Sequence, residues 1–139
     1  MNIPKKIIFI IFILSSLFAD IKVIDSNNEF FIKTLKGEVK TYVSARDLVS
    51  ILSARLYENQ ERKKLVLYIS GKRIKISAGT SYLVIDDDSY QMIDVVEEYS
   101  NDFYLPAEQF FNILKKTTLP GLVYDNRRGT LNVDIVRYN

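Results

Sequence analysis

The chain has 139 residues with no histidine and no cysteine, and a formal net charge of +2. Lacking imidazole and thiol, it has none of the donors that catalytic zinc and copper sites rely on. It likewise lacks the base of a serine or cysteine triad and the thiols of a disulfide framework. No cofactor or metal is therefore expected, and stability has to come from packing.

The first nineteen residues read as an export signal. Lys5 and Lys6 precede the apolar run Ile7 to Leu14, Ser15 and Ser16 interrupt it, and Ala19 is a small residue before a cut that leaves Asp20 first. The apolar run is shorter than the roughly 20 residues that span a bilayer. Export to the periplasm or cell envelope follows as the expectation, with no membrane span after cleavage. Retention as an anchor is the alternative, because Leu17 is bulky for its place near the cut. Of the nineteen basic residues, Lys5 and Lys6 leave with the signal, so seventeen remain against seventeen acidic ones. A balanced chain without a basic cluster lacks the footprint of nucleic-acid binding. Residues 20–139 are enough for one domain.

Short alternating runs at Ile21–Ile24 and Glu29–Leu35, separated by turn formers, predict a strand, a turn and a strand. Lys36 and Gly37 then turn the chain into "EVKTYV". Ser44 predicts a helix start, with Asp47 three residues on as the reciprocal partner of a capping box. Leu48, Ile51 and Leu52, with Ala45, form its apolar stripe. Leu65–Ile69 and Arg73–Ser77 predict a hairpin around Ser70, Gly71 and Lys72, and Ser81–Ile85 predicts a further strand. Gln91–Tyr99 is mixed, and Ser100, Asn101 and Asp102 form a turn. Pro106 suits the first turn of a second helix, whose apolar face is Ala107, Phe110, Phe111, Ile113 and Leu114.

"YVSARDLVSIL" (42–52) returns as "YLPAEQFFNIL" (104–114), and "YENQERKKLVLYI" (57–69) is followed at the same place by "YDNRRGTLNVDI" (124–135). The expectation is an α+β fold of short antiparallel strands packed with two small helices. It carries an internal duplication of a strand-helix-hairpin unit, over about 38–77 and 100–136. Leu52 and Leu114, at matching places, should both be buried.

The strand into a Ser- or Pro-led helix, the hairpin "GKRIKI", the strand "SYLVI" with its acidic turn and the second "YLPAEQFFNIL" together resemble the copper amine oxidase N-terminal-like domain over about Thr41 to Ile135. The chain departs from that pattern at Ser44, where the family usually has Pro, and at Ser53 and Ala54, where a Gly often ends the helix. The resemblance implies a non-catalytic module, similar to those at the front of bacterial N-acetylmuramoyl-L-alanine amidases.

Carboxylates are the remaining chemical candidates. Asp86, Asp87 and Asp88 lack the alternate spacing and distant Glu of a calcium loop and read as a turn. Asp94, Glu97 and Glu98 offer a nominal glycosidase pair, although an exposed strand or loop face explains them better. Tyr57, Tyr82, Tyr90, Tyr99, Tyr104 and Tyr124 are candidates for sugar stacking, and also ordinary strand-edge residues. Three functional readings stand: an exported, non-enzymatic module binding or positioning at the cell wall, with peptidoglycan or an envelope protein as partner; the targeting part of an amidase; and a structural or protein-interaction domain. The terminal run "LNVDIVRYN" favours a stand-alone protein.

Overall fold

The computed structural model describes residues 20–26, 28–36, 41–52 and 54–133. The export signal, the beginning of "EVKTYV" and the end of the last expected strand lie outside these residues. Among them, no helix is long and apolar enough to cross a membrane.

The architecture is α+β, with three sheets around one cluster of buried side chains. β1 (Ile21–Asp25) and β2 (Asn28–Ile32) form an antiparallel hairpin, with Val23 opposite Phe30. The run Glu29–Leu35 does not stay one strand. It breaks at Lys33, and β3 (Thr34–Lys36) pairs instead with β4 (Thr41–Ser44) in a second sheet. The break is held from outside the run: the Asp47 carboxylate accepts the Lys33 N–H at 2.8 Å, and the Lys33 carbonyl accepts from Ser44 N–H at 3.2 Å.

Helix α1 (Ala45–Ile51) follows β4 directly. Ser44 is its N-cap, its hydroxyl accepting from Asp47 N–H at 3.2 Å. The capping box is half realised, because the Asp47 carboxylate goes to Lys33 rather than back to Ser44. Ala45, Leu48 and Leu52 are buried and Ile51 is half-buried, as a single apolar stripe requires.

The chain then makes a five-stranded antiparallel meander: β5 (Arg55–Asn59), β6 (Lys64–Ile69), β7 (Lys72–Ser77), β8 (Tyr82–Ile85) and β9 (Asp88–Gln91). The β6–β7 turn is Ser70-Gly71, both at positive φ (49° and 78°), the pair of conformations that matches strand twist in a two-residue hairpin. Strand alternation sends Leu65, Leu67, Ile74, Ile76, Leu83 and Ile85 into the core, each at most 3 % exposed.

β10 (Glu97–Tyr99) and β11 (Asp102–Pro106) form a hairpin over Ser100-Asn101, again both at positive φ. β11 pairs antiparallel with β4, giving the order β10-β11-β4-β3. Helix α2 (Ala107–Thr117) follows, with Pro106 at the N-cap rather than inside the first turn. Its Phe110, Phe111 and Leu114 are at most 1 % exposed, and both helices pack on β4 and β11. Leu52 and Leu114 are both buried, at 2 % and 0 %. Glu108 in the first turn of α2 and Lys115 and Lys116 in the last suit the helix dipole.

β12 (Val123–Asp125) and β13 (Thr130–Asn132) form the last hairpin. β13 then pairs with β1, and in parallel. Strands with no chain between them but a hairpin run antiparallel, whereas β1 and β13 are joined by the whole domain, so the connection sets no direction.

Candidate functional site

The meander buries one face and leaves the other open, as antiparallel sheets can. Because the register is regular, outward residues line up in rows across the strands. Tyr57 lies opposite Val66, Val66 opposite Lys75, and Lys75 opposite Val84. In the next row Asn59 lies opposite Lys64, and Lys64 opposite Ser77. These residues, with Arg62 from the β5–β6 turn and Tyr82 on β8, line a groove of about 300 Å³. That is at the small end of ligand-site volumes.

The groove has a hydrophobic floor of Val66 and Val84, both half-buried, and two exposed rings, Tyr57 and Tyr82. Its charge is of one sign. Arg62, Lys64 and Lys75 line it and, among the described residues, no carboxylate does. Among the described residues none of the three forms an ion pair, whereas Lys63, Lys72 and Arg73 do, with Glu98 at 3.9 Å, Asp86 at 3.6 Å and Asp87 at 3.9 Å. Beside the groove, the Arg55 guanidinium lies over the exposed Tyr68 ring at 5.6 Å, extending the cationic and aromatic character toward the far end of β6.

Two of the acidic candidates, Asp86 and Asp94, hold backbone or side-chain bonds within the fold. Asp86 is at positive φ (54°) in the β8–β9 turn. Its carboxylate accepts the Arg73 N–H at 3.0 Å, and this bond, helped by Lys72, holds the carboxyl below its usual range. Asp87 is exposed and points at Arg73. No three acidic side chains converge as metal ligands among the described residues. Asp94 accepts from the Gln109 amide at 2.6 Å, while Gln109 Oε1 accepts the N–H groups of Ile93 and Asp94 at 2.7 and 3.0 Å. Gln109 thereby clamps the segment before β10 to α2. Glu97 and Glu98 are consecutive on a strand and project to opposite sides, Glu98 toward Lys63.

The six candidate tyrosines separate by environment. Only Tyr57 and Tyr82 reach the groove. Tyr90 is half-buried against the core, and Tyr104 is buried at 7 % with Tyr99 edge-on to it at 6.3 Å. Tyr124 packs on Phe111 at 4.9 Å. Burial, with Glu108 and Asp125 nearby, pushes its hydroxyl up to about 12. Sequence reasoning did not single out Arg62, Lys64 and Lys75. A signal existed, because Tyr57, Val66, Lys75 and Val84 are spaced by nine, the step that a meander with even strands and turns imposes on one row.

A second polar network lies where the two helix units meet. The buried Ser44 hydroxyl donates to the Asp102 carboxylate, which also accepts the N–H groups of Phe103 at 2.8 Å and Arg46 at 3.3 Å. Arg46 donates from Nε to the Asn101 carbonyl at 2.9 Å and pairs with Glu58. Its groups saturate one another and tie α1 to the β10–β11 hairpin. It has the marks of a structural bond rather than a reactive centre.

No protein-family profile matches the chain, and no curated protein or solved structure matches it significantly.

Proposed function

We propose that this chain is an exported, non-catalytic module of the cell envelope that binds the wall through the open face of β5–β9. The observation carrying the reading is the groove itself, where, among the described residues, two exposed tyrosines and three cations outside any ion pair surround an apolar floor without an acid. The basic-apolar start that reads as an export signal, and the resemblance of residues 41–135 to the copper amine oxidase N-terminal-like domain, support the envelope setting. Histidine and cysteine are missing, and of the nominal carboxylate pair Asp94 is bound by Gln109 and Glu98 faces Lys63.

The same reading takes the fold as an internal duplication. Val43 and Leu105, equivalent in the repeated motif, stand opposite each other in the β4–β11 pair, as a local twofold axis requires. Asp47 and Gln109, also equivalent, each bind backbone N–H groups of the segment leading into the flanking strand. The likeness fades in the following hairpins. Tyr57 faces outward opposite Val66, while Tyr124 lies opposite the buried Leu131 and packs inward on Phe111, a slip of one residue that reverses the facing.

A second reading is favoured by Phe30 and Phe31, 41 % and 62 % exposed on β2, an edge strand. An envelope protein adding a strand there would cover both. The deciding measurement uses protein recovered from the envelope fraction of cells expressing the full chain. It should pellet with purified peptidoglycan sacculi and release no muropeptides. Protein that stays in the supernatant overturns wall binding in favour of the protein partner.

A further inference from the structure

The floor and rim of the groove specify more than affinity for the wall. On the standard spacing of neighbouring strands, Tyr57 on β5 and Tyr82 on β8 stand about 14 Å apart across the sheet. Between them lie Val66 on β6 and Lys75 on β7, while Val84 sits two residues from Tyr82 on β8 itself. Tyrosine rings offer flat apolar faces with a polar tip. Their partners are ring-bearing molecules with apolar faces and polar edges, and the groove supplies neutral hydrogen-bonding groups for such edges in Asn59 and Ser77. The cations come from three places, Arg62 in the β5–β6 turn, Lys64 on β6 and Lys75 on β7, the last two being diagonal neighbours about 7–8 Å apart. Neighbouring single charges flanked by aromatic rings and neutral polar groups match a ligand that carries anions on ring-bearing units.

Resting on the wall-binding reading, we infer that the groove takes a glycan chain bearing carboxylates, with sugar rings against Tyr57 and Tyr82 and carboxylates at Lys64, Lys75 and Arg62. A polyphosphate without rings leaves the tyrosines unused. A nucleic acid calls for phosphate-neutralising charge beyond the groove, which residues 20–139, with seventeen basic against seventeen acidic side chains, do not supply.

The test is binding by full-chain protein from the envelope fraction, measured by calorimetry against four probes. These are peptide-free peptidoglycan glycan strands, whose alternate sugars carry a lactyl carboxylate; chitohexaose, which has the amino-sugar rings without carboxylates; poly(glycerol phosphate); and oligothymidylate. The glycan strands should bind, and chitohexaose should bind at least about tenfold more weakly. Lys64→Glu with Lys75→Glu should abolish binding of the glycan strands without moving the unfolding midpoint, since both side chains are exposed. Tyr57→Ala should weaken it and Tyr57→Phe restore it. Equal binding of chitohexaose overturns the carboxylate specificity, and undiminished binding by the double variant overturns the groove as the place. In both cases pelleting with sacculi leaves wall binding standing. Preference for poly(glycerol phosphate) overturns the glycan assignment. Preference for oligothymidylate, with no pelleting on sacculi, overturns both this assignment and the wall-binding reading.

Discussion

The two helix beginnings, Ser44-Ala45 and Pro106-Ala107, hold the same place after paired strands but are secured by different means. At α1 the cap is a hydroxyl that both accepts from its own helix and donates to Asp102, 58 residues away. At α2 the cap has no side-chain bond, and a proline already at φ −61° supplies the backbone shape. The seven-residue α1 also buries less than the eleven-residue α2, which brings two phenylalanines. A short helix with a small apolar face thus depends on a long-range polar bond, while a longer helix with a large face needs only favourable backbone geometry.

The largest effects should come from the cores of the two units. Phe110→Ala should cost about 3–5 kcal/mol and Leu48→Ala about 2–5 kcal/mol in chemical denaturation, since both side chains are fully buried. Each variant should still unfold in one transition, because the buried residues form one cluster. Two separated transitions would break the comparison by making the units independent.

Next comes the bond between the units. Asp102→Ala removes the acceptor of three hydrogen bonds and leaves the buried Ser44 hydroxyl without its partner, a loss of about 1–3 kcal/mol. Hydrogen exchange should show α1 opening more than α2 in this variant. Equal opening of both helices would contradict the asymmetry.

Exchanging the caps sharpens it further. Ser44→Pro deletes both the hydroxyl and the N–H that bonds to Lys33, so it should destabilise by about 1–3 kcal/mol even though proline serves at position 106. Pro106→Ser should be within about 1 kcal/mol of neutral, a new side-chain cap offsetting the lost chain stiffness. Thermal melts of the pair decide whether the two positions are interchangeable.

The smallest effect is at alkaline pH and belongs to the second unit. Tyr124 titrates near 10 in the unfolded chain and at about 12 in the fold. A raised folded value stabilises fully below pH 10, and that contribution is lost as pH rises from 10 through about 12. Melting temperatures across that window should fall less steeply for Tyr124→Phe than for the parent chain. Parallel curves would remove Tyr124 from the alkaline loss.

The elements that could be read from residue order are those whose causes are local. "KLVLYISGKRIKIS" alternates on both sides of Ser70-Gly71, so its hairpin needs no distant partner. Ser44 and the stripe Ala45, Leu48, Leu52 announce α1, and Phe110, Phe111 and Leu114 announce α2. Short strands within mixed composition were harder. β10, inside Gln91–Tyr99, is formed because the Ser100-Asn101 turn folds it onto β11, and its three residues are all exposed, so no hydrophobic pattern marks it. The groove was half legible: Tyr57 and Tyr82 stood out as aromatics, while Lys64 and Lys75 looked like ordinary polar positions of alternating strands.

By itself, then, the order of residues determined the helices with their buried faces, the central hairpins, and the exclusion of histidine- and cysteine-based chemistry, because side-chain periodicity, turn conformation and composition are properties of short segments. Tertiary structure decided the rest. It broke Glu29–Leu35 at Lys33 between two sheets, set β1 parallel to β13, turned Tyr57 outward and Tyr124 inward, and gathered cations from β6, β7 and an adjoining turn around one floor. Each of these depends on which strand becomes a neighbour in space. Pairing across long separations is chosen by the packing of the whole core, and a shift of one residue in register exchanges the buried face for the open one.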